Sequence, residues 1–527
     1  MEKETGPRIL GGLNMSFIDE LDKTIGSESS FSTTENGAIG YSTTQNPLLD
    51  MNYKIPSYRS SSEETIVDDF IMAFHHDKVL SLKWLFFARD VRGGLGERRL
   101  FRVIVEWVAN AHPQYVLPLI SLIPEYGRWD DLFCLLNTKC ECAAMKEILN
   151  QFYVDVQHAS QSKSVSLLGK WLPSENASSS ETRKLAHRIR KALSMSPRRY
   201  RKHLSMLRKQ INIVESKMSS NDWNNINYES VPSKAGLIYK DAFNRHDEER
   251  YMKYLQDVKD GKTAIHSGTL YPHEIVHKYM DGRGYWGSQV KSIDDTLEEM
   301  WKALPDTVQG ESSTIVVKDG SGSMLTQVSG NTTAMEVANA LAIYFAERCE
   351  GEFKNKFITF SENPKLLDIG KGNDLKSKLE LTCAYNEVAN TDIVKVFNLI
   401  LHTAIDASMS QEDLPGTVLI ISDMEFDGMT AENYHTSESR TLFGMIKEGY
   451  ERYGYKLPRL VFWNVASRTN TIPVTENDLG VVLVSGFSTN IVKMVLSGKT
   501  DPWEALTDTI NSSRYQPIEE ALKEVIK

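Results

Sequence analysis

Along Val67 to Ala88 and Leu100 to Ala111, apolar residues recur at three- and four-residue spacings, the period of amphipathic helices. They predict an all-helical region that begins near Glu63. Residues 1–60 lack that period and are rich in Ser, Thr, Asn and Gly, as in Ser27-Glu-Ser-Ser-Phe-Ser-Thr-Thr-Glu-Asn36, so a flexible arm is expected there. Beyond Pro305 the pattern changes. Ser313 to Val317, Lys356 to Phe360, Thr417 to Ile421, Arg459 to Val465 and Val481 to Val484 have the length and β-branched content of buried parallel strands. Helical segments at Ala334 to Cys349, Ile393 to Ala407, Ser439 to Tyr453 and Asn490 to Leu496 lie between or after them, as βαβ crossovers require. The expected fold is therefore α followed by α/β: an arm over 1–60, a helical-repeat domain over 61–305, a doubly wound domain over 306–500 and a helical segment over 501–527.

Two loops punctuate the helical part, Arg89-Asp-Val-Arg-Gly-Gly-Leu-Gly-Glu-Arg98 and Pro124-Glu-Tyr-Gly-Arg-Trp-Asp-Asp131. They place Arg92 and Arg128 at equivalent positions 36 residues apart, a spacing that stacked helical hairpins produce. Gly93, Gly94 and Gly96 follow a helix rather than a strand and lack a Gly-Lys-Ser/Thr ending. A helix-capping turn is expected there, not a phosphate loop.

The strand Thr314 to Val317 runs into Lys318-Asp-Gly-Ser-Gly-Ser-Met324, which sets Asp319, Ser321 and Ser323 in a turn at a strand's carboxyl end, where open α/β sheets bind ligands. Gly320 and Gly322 let that turn bend sharply. Thr391 precedes the helix that starts near Ile393, and Asp423 ends Val418-Leu-Ile-Ile-Ser-Asp423, so both reach the same sheet edge. Hydroxyls with nearby carboxylates suit a hard divalent cation, Mg²⁺ or Mn²⁺. Asp392, Glu425 and Asp427 add negative charge close by.

Those residues carry a resemblance. Asp319-x-Ser-x-Ser323 with Thr391 and Asp423 is similar to the metal-ion-dependent adhesion site of von Willebrand factor A domains. The resemblance implies that Ser321, Ser323 and often Thr391 coordinate directly, that Asp319 and Asp423 act largely through water, and that an open position takes a partner's carboxylate. The two loops of the helical part resemble the TROVE module of Ro ribonucleoproteins, a ring of HEAT-like helical repeats joined to a von Willebrand factor A domain in the same order. Tyr200-Arg-Lys-x-Leu-Ser-x-Leu-Arg-Lys209, Val231-Pro-Ser-Lys-Ala235 and Ser422-Asp-Met-Glu-Phe426 look closer still to an uncharacterised family of Ro-like proteins of plants, fungi and large viruses.

Charge adds an asymmetry. The 527-residue chain has a formal net charge of -10, which argues against indiscriminate coating of nucleic acid by its whole surface. Yet Arg183, Lys184, Arg188, Arg190, Lys191, Arg198, Arg199, Arg201, Lys202, Arg208, Lys209 and Lys217 face only Glu215 as an acid within their span. That balance suits an anionic partner, RNA under the Ro-like reading. The alternative is a protein-interaction module whose metal site captures an acidic side chain. Catalysis is not expected: His273-Glu-Ile-Val-His277 matches the H-E-x-x-H of zinc proteases, but Pro272 opens that helix and no third ligand is apparent.

Cys134, Cys140, Cys142, Cys349 and Cys383 are odd in number and irregularly spaced, which fits reduced thiols. No apolar run approaches the roughly 20 residues that span a bilayer, and the start lacks the order of a secretory signal. A soluble cytoplasmic protein is the expectation.

Overall fold

Asp77 shows how local chemistry sets the helices of the first half: it ends Glu63–His76, and its carboxylate then caps Lys78–Arg89 by accepting from the Leu80 amide at 2.9 Å. Ser62, Ser179 and Ser196 cap Glu63–His76, Ser180–Ala192 and Pro197–Gln210 in the same way. The computed structural model describes residues 31–280, 290–308, 313–360, 364–385, 392–427, 441–473, 480–488, 491–492 and 501–526. Residues 31–304 are mostly helical, and no described helix is long and apolar enough to cross a membrane.

The glycine-rich loop turns back onto the end of Lys78–Arg89, with the amides of Leu95 and Glu97 donating to the carbonyls of Phe87 (3.1 Å) and Ala88 (2.7 Å). A Cβ on Gly94 would stand 2.0 Å from the Phe87 oxygen, so only glycine fits that approach. The second loop is joined to the first by ion pairs. Buried Arg89 meets buried Asp131 at 2.7 Å, Arg102 meets Asp130 at 2.9 Å and Asp131 at 2.7 Å, and Arg98 reaches Asp130. Arg92 donates to the Glu125 carbonyl, and Arg128 lies over the Trp171 ring at 4.8 Å. The two motifs thus hold each other.

The second half is built on a six-stranded sheet. With β1 (Phe31–Thr33) and β2 (Ile39–Tyr41) forming an N-terminal hairpin, the sheet strands are β3 (Thr314–Asp319), β6 (Lys356–Phe360), β7 (Lys365–Asp368), β8 (Thr417–Ser422), β9 (Arg459–Asn464) and β10 (Val481–Ser485); β4 (Gln327–Ser329) and β5 (Thr332–Thr333) pair separately. Their order is β10-β9-β8-β3-β6-β7, parallel except for the antiparallel edge pair β6 and β7. Each expected strand is present, and the short edge strand β7, with mostly exposed side chains, had no apolar run to announce it. The chain runs from β3 outward to β6 and β7, then crosses back to β8 on the other side of β3 and continues outward to β9 and β10. The crevice at the carboxyl ends of β3 and β8 is therefore a topological switch point.

One face of the sheet is covered by Ala334–Arg348, which packs in turn on Pro272–Met280 and joins both halves in one apolar core. The other face carries Ile393–Asp406 and Leu442–Arg452. Most of the segment expected as Asn490 to Leu496 lies outside the described residues.

The arm expected over 1–60 requires correction for its second half, residues 1–30 being outside the described residues. Phe31–Thr33 and Ile39–Tyr41 pair as a hairpin, and Asn46 caps Pro47–Tyr53, a helix with Leu48, Leu49, Met51 and Tyr53 buried. Tyr53 belongs to the sheet's second core. Long-range partners order a stretch whose own composition would not. The C-terminal helices Pro502–Ile510 and Gln516–Ile526 return to the helical half against Lys78–Arg89. Arg514 pairs with the fully buried Asp90, with Nη2 donating to Oδ1 at 2.7 Å, and Tyr515 donates to the same carboxylate at 3.1 Å.

Candidate metal centre

The carboxyl ends of β3 and β8 bring four of the five expected residues together. Asp319 closes β3 and is fully buried, accepting from the Ser321 amide at 2.8 Å and from the Ser422 hydroxyl at 2.6 Å. The Ser321 and Ser323 hydroxyls lie 2.9 Å apart. Asp423, just past β8, is also fully buried and shares an interaction with Ser323. Thr391 lies outside the described residues.

These carboxylates are held under electrostatic stress. Burial, and next the neighbouring Asp319 charge, push Asp423 up to about 7, while burial raises Asp319 against the hydrogen bonds that favour its ionised form. Among the described residues, the buried Asp423 Oδ2 accepts no hydrogen bond and lies 3.5 Å from Arg468. Two adjacent buried carboxylates, an unsatisfied oxygen and two converging hydroxyls form a donor set of hard oxygens, and that set fits Mg²⁺ or Mn²⁺.

Sequence reasoning missed three residues around this centre. Ser422 positions Asp319; its hydroxyl stands directly before Asp423 in sequence, a signal that was there to use. Arg468 lies 3.5 Å from Asp423 Oδ2, donates to the Thr326 hydroxyl at 3.1 Å and pairs with Glu35 of the N-terminal hairpin. No sequence pattern links Glu35, Asp423 and Arg468.

The extra acids have other work. Glu425 accepts from the amides of Glu35 (2.9 Å), Arg468 (2.7 Å) and Thr469 (2.9 Å), stapling the hairpin to the loop after β9. Asp392 caps Ile393–Asp406, and Asp427 bridges to Gly37.

The basic segment divides into two groups. Arg183 donates to the carbonyls of Ala177 and Ser178, Lys184 pairs with Glu181, Arg188 with Glu141, Arg190 with Glu175, and Arg208 holds the carbonyls of Gly169 and Leu172. Lys191, Arg198, Arg199, Arg201, Lys202 and Lys209 are exposed and form no ion pair with any of the described residues. On Pro197–Gln210 the buried Tyr200, Leu204 and Leu207 face inward, which leaves the cations to the solvent side. Lys217 donates to the Asn225 carbonyl, so six of the twelve cations are left to meet a ligand.

The H-E-x-x-H helix is an interface. Burial drives His273 down to about 3 and its ring stacks on Tyr271, Glu274 pairs with Lys234, and His277 meets both oxygens of the buried Glu336 at 3.1 Å. Glu336 also completes the capping box that starts Ala334–Arg348.

Residues 313–524 match a family model described as "Domain of unknown function (DUF7788)", and residues 34–147 and 176–314 match "Domain of unknown function (DUF2828)". The "Uncharacterized protein L728" of Acanthamoeba polyphaga mimivirus is 28% identical over 530 residues, covering 92% of this chain and 88% of that protein. A solved structure, "Crystal structure of Deinococcus radiodurans RO (RSR) protein", aligns over 85% of this chain and 92% of that one, with a TM-score of 0.43 and 12% identity.

Proposed function

We propose that this protein is a cytoplasmic, non-enzymatic RNA-binding scaffold of Ro-like organisation, with TROVE-like, HEAT-like helical repeats followed by a von Willebrand factor A-like domain that carries a Mg²⁺- or Mn²⁺-dependent site. The observation behind the RNA reading is the group of six exposed, unneutralised cations along Lys191 to Lys209 in a chain of net charge -10. Cations that are exposed and free of carboxylates can replace the counterions of a phosphate backbone at little cost, whereas Arg188 and Arg190 would first have to give up their own partners. In the metal centre Ser321, Ser323, Asp319 and Asp423, with Thr391, would hold the ion, which when bound supplies an open position for an anionic oxygen. Recovery of the full chain from cells tests the RNA reading: RNA should co-purify with wild type, and should be lost when Arg198, Arg199, Arg201 and Lys202 become Glu. Equal RNA content in both proteins would refute it.

A second reading, capture of an acidic protein side chain at the metal, is favoured by the buried Asp423 Oδ2, which among the described residues accepts no hydrogen bond and lies 3.5 Å from Arg468. Partner binding abolished by EDTA and indifferent to the charge reversal would support that reading over RNA.

A further inference from the structure

A cleft of about 750 Å³ lies between the two halves of the chain and opens beside the metal centre, since Arg468 lines the one and flanks the other. We propose that it is a phosphate-binding site, distinct from the exposed cations of Pro197–Gln210. Its charged lining consists of Arg59, Arg99 and Arg468 against a single carboxylate, Glu97, in a protein that is acidic overall. The remaining lining is largely small and polar, with Ser57, Ser329 and Asn470 among it.

The three guanidiniums are held in different ways. Arg59 pairs with Glu97 and lies over the Phe487 ring at 3.6 Å, and its buried Nη1 has no hydrogen-bond partner among the described residues. Arg99 donates to the carbonyls of Tyr58 (2.6 Å) and Ser61 (2.8 Å), and no carboxylate of the described residues pairs with it. Arg468 approaches from the α/β side, paired with Glu35, 3.5 Å from Asp423 and fixed by the Thr326 hydroxyl. The planar fork of an oriented guanidinium can pair with two oxygens of a phosphate, and a concave wall between two low-dielectric bodies concentrates the field.

Size narrows the ligand class. The volume exceeds what a bare anion fills and suits a nucleotide-sized molecule. If the proposed metal reading of the neighbouring centre holds, a Mg²⁺ bound there would favour the same ligand, because that ion is commonly shared between protein carboxylates and ligand phosphates. The shared chemistry is a phosphate group, carried by a free nucleotide or by the end of a nucleic acid strand.

The test is calorimetric titration of the full chain at low salt with inorganic phosphate and with ADP. Saturable binding is expected, weakened about 5-fold or more by Arg99→Ala, an exposed residue, and more strongly by Ser329→Glu, which places an acid on the exposed rim without touching the core. Glu substitutions at Arg198, Arg199, Arg201 and Lys202 should leave it unchanged, which separates failure of this site from failure of the RNA reading. Competition by a short oligoribonucleotide only when it carries a 5′-phosphate would assign the ligand to strand ends, and competition by ADP alone to free nucleotides. Equal affinity in wild type, Arg99→Ala and Ser329→Glu, or no saturable binding of either probe, would overturn the proposal.

Discussion

Replacing Asp423 with Asn should make the metal-free protein more stable at alkaline pH while removing its response to Mg²⁺. In the folded chain Asp423 is pushed up to about 7 from an ordinary 3.8, mainly by burial and then by Asp319. A raised carboxylate holds a proton in the native state that the unfolded chain has released. Its contribution to stability is therefore complete below the unfolded value near 3.8 and is lost as pH rises through about 7. Three units correspond to about 4 kcal/mol in all, of which roughly 2–3 kcal/mol disappears between pH 5 and pH 8. In EDTA the wild-type melting temperature should fall over that interval by several degrees, and Mg²⁺ at ten times its dissociation constant should restore about 1.4 kcal/mol at pH 8. Asn at position 423 cannot ionise, so the slope should flatten and the metal-induced shift should vanish. Scanning calorimetry from pH 5 to pH 8, with EDTA or with Mg²⁺, reads both effects. Parallel slopes in the two proteins, or a metal shift of wild-type size in Asp423→Asn, would refute the reasoning.

Two further outcomes concern the frame. Arg514→Ala deprives the buried Asp90 of its guanidinium partner and leaves it, among the described residues, Tyr515 and the Arg92 amide, so denaturant unfolding should show a loss of about 3 kcal/mol. Gly94→Ala drives a Cβ into the Phe87 carbonyl and should cost about 2–3 kcal/mol by the same measurement, with unchanged far-ultraviolet circular dichroism in the surviving native state.

How far the sequence could be read depended on where each residue's partner lies. The strands of the sheet were legible because burial on both faces demands continuous apolar runs such as Val418 to Ile421. Asp319, Ser321, Ser323 and Asp423 were legible because strand ends at a switch point meet. The hairpin at 31–41 was not: its Ser and Thr residues look like an arm, and its order comes from Phe426, Glu425 and Ile472, close to 400 residues or more away. Arg468 escaped for the same reason, since only the docked hairpin brings Glu35 to it. In the basic segment, charge counting could see twelve cations but not that Arg183, Arg188, Arg190 and Arg208 are spent on carbonyls and carboxylates of their own fold.

The RNA reading stands or falls on the salt dependence of binding. Fluorescence anisotropy with a labelled single-stranded RNA should give log K falling with log salt at a slope near −4, from six phosphate contacts at about 0.7 each, unaffected by EDTA. Changing Arg198, Arg199, Arg201 and Lys202 to Glu should flatten that slope by about 3. Binding that is absent at low salt, or a slope the same in both proteins, would contradict the account.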